Sequence, residues 1–221
     1  MTDDPLTSQS NLWLADTLWR LGAVQFGDFT VGRTTVHSPI HVNLRLLIAH
    51  PTALARAAHI VLTELQTLQS MRNPQIDRFD LVCGVPFGGL VVAEAFSLSS
   101  KLPLIYLHPR KDDLDTDVEG IYHPSQTALL MDDLITGGGS IVLTANRLRA
   151  EGLFVRDAVV LFDRQSGGRA KLEEAGIRLV SVLTLEVLLT YLRSSGKIGE
   201  DWHRKSMAFF EANRGRDLEP G

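Results

Sequence analysis

The chain has 221 residues, 44% hydrophobic and 22% charged, which is the composition of an ordinary globular protein and leaves no room for two full-size enzymes. Its formal net charge of −4 gives no basic field, so we predict no nucleic-acid partner. The lone Cys83 excludes an internal disulfide and a cysteine-based metal site, and no apolar run approaches the roughly 20 residues that span a bilayer, so we predict a cytoplasmic protein with no membrane partner.

The first 70 residues predict a small N-terminal cap that is rich in helix and partly β-stranded. A helix is expected from about Gln9 to Leu21, with apolar side chains on one face and Gly22 as its stop. Two extended segments follow, VQFGDFTV and PIHVNLR, with a polar bend between them. Proline is favourable at the first position of a helix, so a long helix is predicted from Pro51 to about Leu68.

From about residue 71 to 196, short apolar runs alternate with helical patterns. The strand candidates are DLVCGV, PLIYL, TALLMDD, DAVVLF and IRLVSVLT. They are apolar on both faces, which is typical of a mostly parallel sheet covered by helices on both sides. We therefore predict a single α/β domain over 1–221, with a cap at about 1–70, a core at about 71–196, and a C-terminal helix and tail at 197–221.

The most informative segment is ALLMDDLITGGGSIVLTAN, residues 128–146. A buried strand is predicted to end at Asp132 and Asp133, and TGGGS then opens a helix. Glycines let backbone N–H groups turn toward a ligand, and a helix N-terminus carries partial positive charge, so this turn favours a phosphate. The two carboxylates are suited to accept charge-assisted hydrogen bonds from the hydroxyls of a ribose. The alternative is an ordinary flexible turn with an acidic helix cap.

Two common nucleotide motifs do not fit this turn. A P-loop needs a Lys after its last glycine, whereas Ser140 is followed here by Ile141. The dinucleotide fingerprint needs GxGxxG spacing, which GGGSIV lacks. The phosphate is therefore expected to belong to another kind of ligand.

MDDLITGGGS resembles the 5-phosphoribosyl-1-diphosphate (PRPP) motif of type I phosphoribosyltransferases. Other segments resemble the orotate phosphoribosyltransferase branch of that family, from about Gly22 to Leu192. They are FGDFTVGRTTVHSPIHVNLR for the N-terminal substrate loop, DLVCGVPFGG for the pyrophosphate loop, PRKDD for the base of the hood loop, and VVLFDRQSGG for an orotate-contacting Arg. The resemblance implies a type I phosphoribosyltransferase fold and synthesis of orotidine 5'-monophosphate and pyrophosphate from orotate and PRPP, in pyrimidine biosynthesis.

The resemblance also implies roles for individual residues. Asp132 and Asp133 would hold the ribose hydroxyls of PRPP. The 5-phosphate would lie in the loop of Thr136, Gly137, Gly138, Gly139 and Ser140, and Gly88 would lie in the pyrophosphate loop. Orotate would contact Arg164, Thr136, His41 and Arg33. No metal-ligating residue is expected, because Mg²⁺ would enter bound to PRPP.

The hood loop is where the chain departs from the family pattern. Arg110 and Lys111 match the catalytic pair that would stabilise the leaving pyrophosphate, and the resemblance implies a homodimer that shares this loop across subunits. The family's next hood-loop lysine reads Leu114, and the His or Tyr that follows it reads Thr116. Five acidic residues lie between 112 and 119, where cations would be expected.

These departures leave three functional hypotheses open. The first is an orotate phosphoribosyltransferase whose catalysis is weakened or reorganised at the hood. The second is a non-catalytic paralogue that binds PRPP or a nucleotide and regulates a partner. The third is transfer of phosphoribose to a different acidic base.

Overall fold

The computed structural model of the protein describes residues 12–31, 35–108 and 118–213. Its N-terminal part contains helix α1 (Leu12–Arg20), strands β1 (Val24–Val31) and β2 (Thr35–Val42), the short helix α2 (Arg45–Ile48) and the long helix α3 (Pro51–Ser70). The predicted helices therefore end within about two residues of their expected positions, although residues 1–11 lie outside the described part. The second extended segment begins at Thr35 rather than Pro39, and it ends at Val42 because Asn43 turns the chain into α2.

The remaining strands form one sheet. They are β3 (Leu81–Gly84), β4 (Leu104–Leu107), β5 (Val118–Glu119), β6 (Thr127–Ile135), β7 (Phe154–Asp163) and β8 (Arg178–Thr184). Their order in the sheet is β5-β4-β3-β6-β7-β8, and every neighbouring pair is parallel except β4 with β5. The predicted α/β fold with a mostly parallel sheet is confirmed. Edge strand β5 was not predicted, because two residues within a charged stretch show no strand pattern.

Helices cover both faces of this sheet. They are α4 (Gly88–Ser100), α5 (Gly139–Ala150), α6 (Gly168–Glu174), α7 (Leu185–Ser194) and the C-terminal α8 (Glu200–Asn213). Successive side chains of a strand point to opposite faces, and the core follows this rule: Leu129 and Met131 pack with α3, α4 and α7, whereas Ala128 and Leu130 pack with α5 and α6. Both faces are covered, which explains why apolar side chains point to both sides of these strands.

Strands β1 and β2 form a separate antiparallel hairpin that is not part of the sheet. Its pairing is irregular between Phe26 and Phe29, so one strand carries an extra residue there. The hairpin packs on the same core as α1, α3 and α7, through buried Val24, Ile40 and Val42. The N-terminal segment and the sheet therefore share this hydrophobic core. Among the described residues, no helix is long and apolar enough to cross a membrane.

Candidate active site

The two acidic residues of the central motif lie inside β6 rather than at its end. The strand continues past Asp132 and Asp133 to Ile135, because pairing with β7 continues through Asp132 with Val160 and Ile135 with Asp163. The expectation that the strand stops at the carboxylates is therefore wrong by two residues. The consequence is a rigid support for both acids, since β6 is flanked by β3 and β7.

The loop after β6 forms a concave turn at the N-terminus of α5. Gly138 precedes the helix with φ of 82°, and a Cβ there would lie 2.6 Å from the Leu172 side chain, so both the conformation and the space require glycine. The loop lines a cavity of about 230 Å³ together with the end of β6. Asp132, Thr136, Gly137, Gly138 and Ser140 all border this cavity. A phosphate group there would face the backbone N–H groups of the loop and the positive end of α5.

The loop between β3 and α4 packs directly on the acidic pair. A Cβ on Gly88 would lie 2.4 Å from Cγ of Asp133, and a Cβ on Gly89 would lie 2.4 Å from the Met131 carbonyl oxygen. These spacings are too short for any side chain, so the backbone of this loop lies against both carboxylates. The predicted pyrophosphate loop and the predicted ribose-binding acids are thus adjacent.

Burial and crowding control the charge of the acidic pair. The Asp132 carboxylate accepts a hydrogen bond from the Asp133 backbone N–H at 2.9 Å. Desolvation and then the neighbouring Asp133 charge raise the pKa of Asp132 well above its usual range, and the backbone hydrogen bonds only partly oppose this. Burial therefore makes the charged form of Asp132 costly in the free protein, and a ligand that offers hydroxyl donors or positive charge would offset that cost.

Arg164 follows β7 and lies beside the loop that ends β6. Its backbone N–H donates to the Ile135 carbonyl oxygen at 3.1 Å, and its side chain is buried, with the whole residue only 8% exposed. Desolvation lowers the pKa of its guanidinium. No carboxylate of the described ranges ion-pairs with it, although the nearby Asp163 is bound by Arg169 at 3.4 Å. A buried cation without a counterion is costly, and an anionic ligand would compensate it.

The hairpin brings His41 to the same place. Burial and the positive charge of Arg164 lower the pKa of His41, so the imidazole is neutral near pH 7. The Phe29 ring lies 5.6 Å from the His41 ring, centroid to centroid. Arg164 and His41 are 123 positions apart in the chain, and the fold brings them near enough for the charge of Arg164 to act on the imidazole.

Some predicted residues fall outside the described ranges. They are Arg33, Arg110 and Lys111, together with the departures Leu114 and Thr116. Gly89, which belongs to the predicted pyrophosphate loop, lies against Asp132. Phe29 was not singled out from the sequence, and its ring lies beside that of His41. Nothing in the sequence reveals this contact, because it joins two strands of the hairpin.

The chain is similar to two groups of curated enzymes. Orotate phosphoribosyltransferase of Chlamydia caviae is 38% identical over 190 residues, which cover 83% of this chain and 86% of that protein. The chain belongs to the orotate phosphoribosyltransferase family. Uridine 5'-monophosphate synthase of Bos taurus is 35% identical over 202 residues, which cover 90% of this chain but 40% of that longer protein. No protein-family model matches the chain.

Solved orotate phosphoribosyltransferase structures have the same fold. The enzyme from Aeropyrum pernix aligns with a TM-score of 0.69 at 32% identity, covering 84% of this chain and 99% of that one. The Mycobacterium tuberculosis enzyme in complex with PRPP aligns with a TM-score of 0.62 at 25% identity, covering 80% and 98%. Family membership thus agrees with the parallel sheet and with the loop at the end of β6.

Proposed function

We propose that this protein transfers the 5-phosphoribosyl group of PRPP to orotate and releases pyrophosphate, as a step of pyrimidine biosynthesis. The single observation that carries the proposal is the buried Arg164, which lacks an anionic partner among the described residues and lies beside the phosphate-binding loop. Orotate is a planar base with a carboxylate. A guanidinium matches a carboxylate in a bidentate way, so this residue suits that acceptor.

The PRPP half of the site is supported by the cavity at the start of α5. The loop 136–140 would bind the 5-phosphate through backbone N–H groups, and Asp132 and Asp133 would accept hydrogen bonds from the ribose hydroxyls. The backbone around Gly88 would then face the diphosphate, because this loop already lies against Asp133. The 5-phosphate, the ribose and the diphosphate of PRPP would thus each contact a different segment, and these three segments are neighbours.

The acceptor half is formed by Arg164, Thr136 and the hairpin. Thr136 lines the cavity, so it would border both ligands. His41 is placed to contact the base, and its neutral imidazole avoids adding a second buried charge. In the transfer, the bond from the anomeric carbon to the pyrophosphate oxygen breaks, a bond to an orotate ring nitrogen forms, and the proton of that nitrogen passes to the departing pyrophosphate or to solvent, while the two ligands are held in position.

The leaving group is a polyanion, so cations must stabilise it. Arg110 and Lys111 are the residues proposed for this role. Mg²⁺ is proposed to enter bound to the diphosphate of PRPP, where it would neutralise part of the charge. The described residues contain no group of three or more His, Cys, Asp or Glu side chains that could hold a metal ion. Mg²⁺ fits such a site, because it keeps several waters and commonly binds through substrate phosphates.

We also propose a homodimer in which the hood loop of one subunit completes the site of the other. Sedimentation at micromolar concentration tests this proposal. Mixing an Asp133→Asn variant with a Lys111→Ala variant sharpens it, since action in trans would restore part of the activity in the hybrid. A cytoplasmic location stays a prediction from the composition and the lone Cys83.

The transfer itself is tested by following orotate consumption with PRPP and Mg²⁺, beside calorimetric binding of PRPP alone. Arg164→Ala should raise the KM for orotate roughly tenfold to a hundredfold, because a hydrogen bond to a charged group contributes about 1.5 to 3 kcal/mol. PRPP binding should not change. Arg156→Ala serves as the matched control, because Arg156 is an exposed arginine near the amino-terminal end of β7, whereas Arg164 follows its carboxyl end.

The outcomes separate the hypotheses. Turnover with orotate that depends on Arg164 supports the proposal. PRPP binding without turnover supports a non-catalytic regulator instead. Turnover that is insensitive to Arg164, or that prefers another acidic base, contradicts the assignment of this arginine to the orotate carboxylate.

A further inference from the structure

The hairpin that carries His41 needs support from outside the sheet. A two-stranded hairpin on its own is at best marginally stable in water, and β1 and β2 pair only with each other. The position of His41 relative to Arg164 is therefore decided by what packs on the other face of the hairpin. The face opposite to His41 carries the residues that precede and follow it in β2.

The supporting contact is a set of three rings from three elements. Phe26 of β1 lies between Trp19 of α1 and Trp202 of α8, with ring-centroid distances of 6.5 Å and 5.7 Å. Both pairs are tilted, at 54° and 49°, a geometry that aromatic rings favour. We refer to Trp19, Phe26 and Trp202 as the aromatic clamp.

The two helices that hold Phe26 are themselves tied together. The Asp16 carboxylate of α1 lies 3.2 Å from Nζ of Lys197 and accepts a hydrogen bond from the Tyr191 hydroxyl at 3.0 Å. Lys197 lies just before α8, so this group joins the start of that helix to α1. At the other end of α8, Phe210 is buried in the main core. Both helices that contact Phe26 are therefore held in place by further contacts.

The register of the hairpin connects the clamp to the acceptor site. Phe26 pairs with Ile40, whereas His41 pairs with Gln25. Adjacent residues of a strand point to opposite faces, so the face that holds Phe26 and the buried Ile40 lies behind His41. A shift of Phe26 would move His41 and the neighbouring Phe29 relative to Arg164.

We propose that Trp202 of the C-terminal helix is a positioning residue for the acceptor base, acting through Phe26 on His41, with no part in binding PRPP. The proposal rests on the assignment of Arg164 and His41 to orotate made above. Trp202 lies 37% exposed at the end of the clamp, and Lys205 stacks over its ring at 5.3 Å. Its ring contacts within the described ranges are with Phe26 and Lys205, neither of which is assigned to PRPP, so its effect should fall on one substrate.

The first test compares substrates in Trp202→Ala. The KM for orotate should rise about threefold to tenfold, the loss expected from one aromatic pair, while the KM for PRPP stays at the parent value. Trp202→Phe keeps a ring against Phe26 and should restore most of the orotate KM. Phe154→Ala, which removes a half-exposed ring at the amino-terminal end of β7, should change neither KM.

The second test needs no catalytic activity. Amide hydrogen exchange should become faster across residues 24–42 in Trp202→Ala and remain at the parent rate in β6 and α5. Unchanged exchange in the hairpin overturns the proposal, as does faster exchange with an unchanged orotate KM or equal effects on both substrates. If the parent enzyme does not use orotate but exchange still rises in the hairpin, the proposed function fails and the anchoring by Trp202 stands.

Discussion

The carboxylate of Asp133 occupies the space in which a side chain at residue 88 would begin. A Cβ built on Gly88 would lie 2.4 Å from Cγ and from Oδ2 of Asp133. The loop therefore places its backbone directly against this acid, in a contact that a side chain at residue 88 would disturb.

This contact predicts a specific loss in Gly88→Ala. The methyl group must displace either Asp133 or the pyrophosphate loop, so we expect the KM for PRPP to rise at least about tenfold, equivalent to roughly 1.4 kcal/mol. Gly199→Ala is the control, because nothing lies within 4 Å of its Cβ. Steady-state kinetics with both substrates measures the effect. A Gly88→Ala enzyme with the parent KM for PRPP would show that Asp133 moves freely.

The acidic pair predicts a larger loss. Replacing both Asp132 and Asp133 by Asn removes two charged acceptors for the ribose hydroxyls, each worth roughly 1.5 to 3 kcal/mol. The affinity for PRPP should fall by at least about tenfold, measured by calorimetry. The same double variant should bind inorganic phosphate like the parent, because the loop 136–140 is intact. Unchanged PRPP binding would contradict the assignment of the pair.

The raised pKa of Asp132 predicts that Asp132→Asn stabilises the free protein. Its pKa is higher in the folded chain than the value of 3.8 usual for an unfolded one. The folded state therefore binds the extra proton, and stability falls as the pH rises from about 3.8 through the raised pKa. At neutral pH the Asn variant should melt higher by a few degrees, since 1 kcal/mol shifts Tm by about 2 to 4 °C at this size.

Thermal unfolding measured across pH checks this expectation. The difference between Asp132→Asn and the parent should shrink as the pH falls toward the unfolded pKa, because the parent carboxyl is then neutral as well. An Asn variant that is less stable than the parent at neutral pH would mean that the charged form of Asp132 is favoured in the fold.

The hood loop predicts a gain of activity. Leu114→Lys restores a cation where the family has one, and a preorganised donor at a developing anion is typically worth about 10²- to 10³-fold. Acidic neighbours on both sides, Asp113 and Asp115, would partly neutralise it, so we expect roughly a tenfold rise in kcat. The KM for PRPP should change little, because the contact strengthens in the transition state. Leu114→Met is the control for size, and a Lys variant that is no faster would mean that another residue supplies the charge.

The sequence by itself determined the features that depend on neighbouring residues. Apolar runs without alternation predicted β3, β6, β7 and β8, because both faces of a covered sheet are dry. TGGGS after β6 predicted a phosphate-binding turn, because glycines at the start of a helix let backbone N–H groups face a ligand. Arg164 was placed correctly after β7 because the motif around it is continuous in the chain.

Only the tertiary structure decided the contacts between distant segments. Gly88 lies against Asp133, Phe26 packs on Trp202, and His41 comes within the electrostatic influence of Arg164, because strand order, hairpin register and helix packing bring these segments together. Local patterns specify which face of an element is apolar, but not which partner covers it. The extra residue between Phe26 and Phe29 and the continuation of β6 past Asp133 also depend on pairing with another strand, so no pattern within either segment could reveal them.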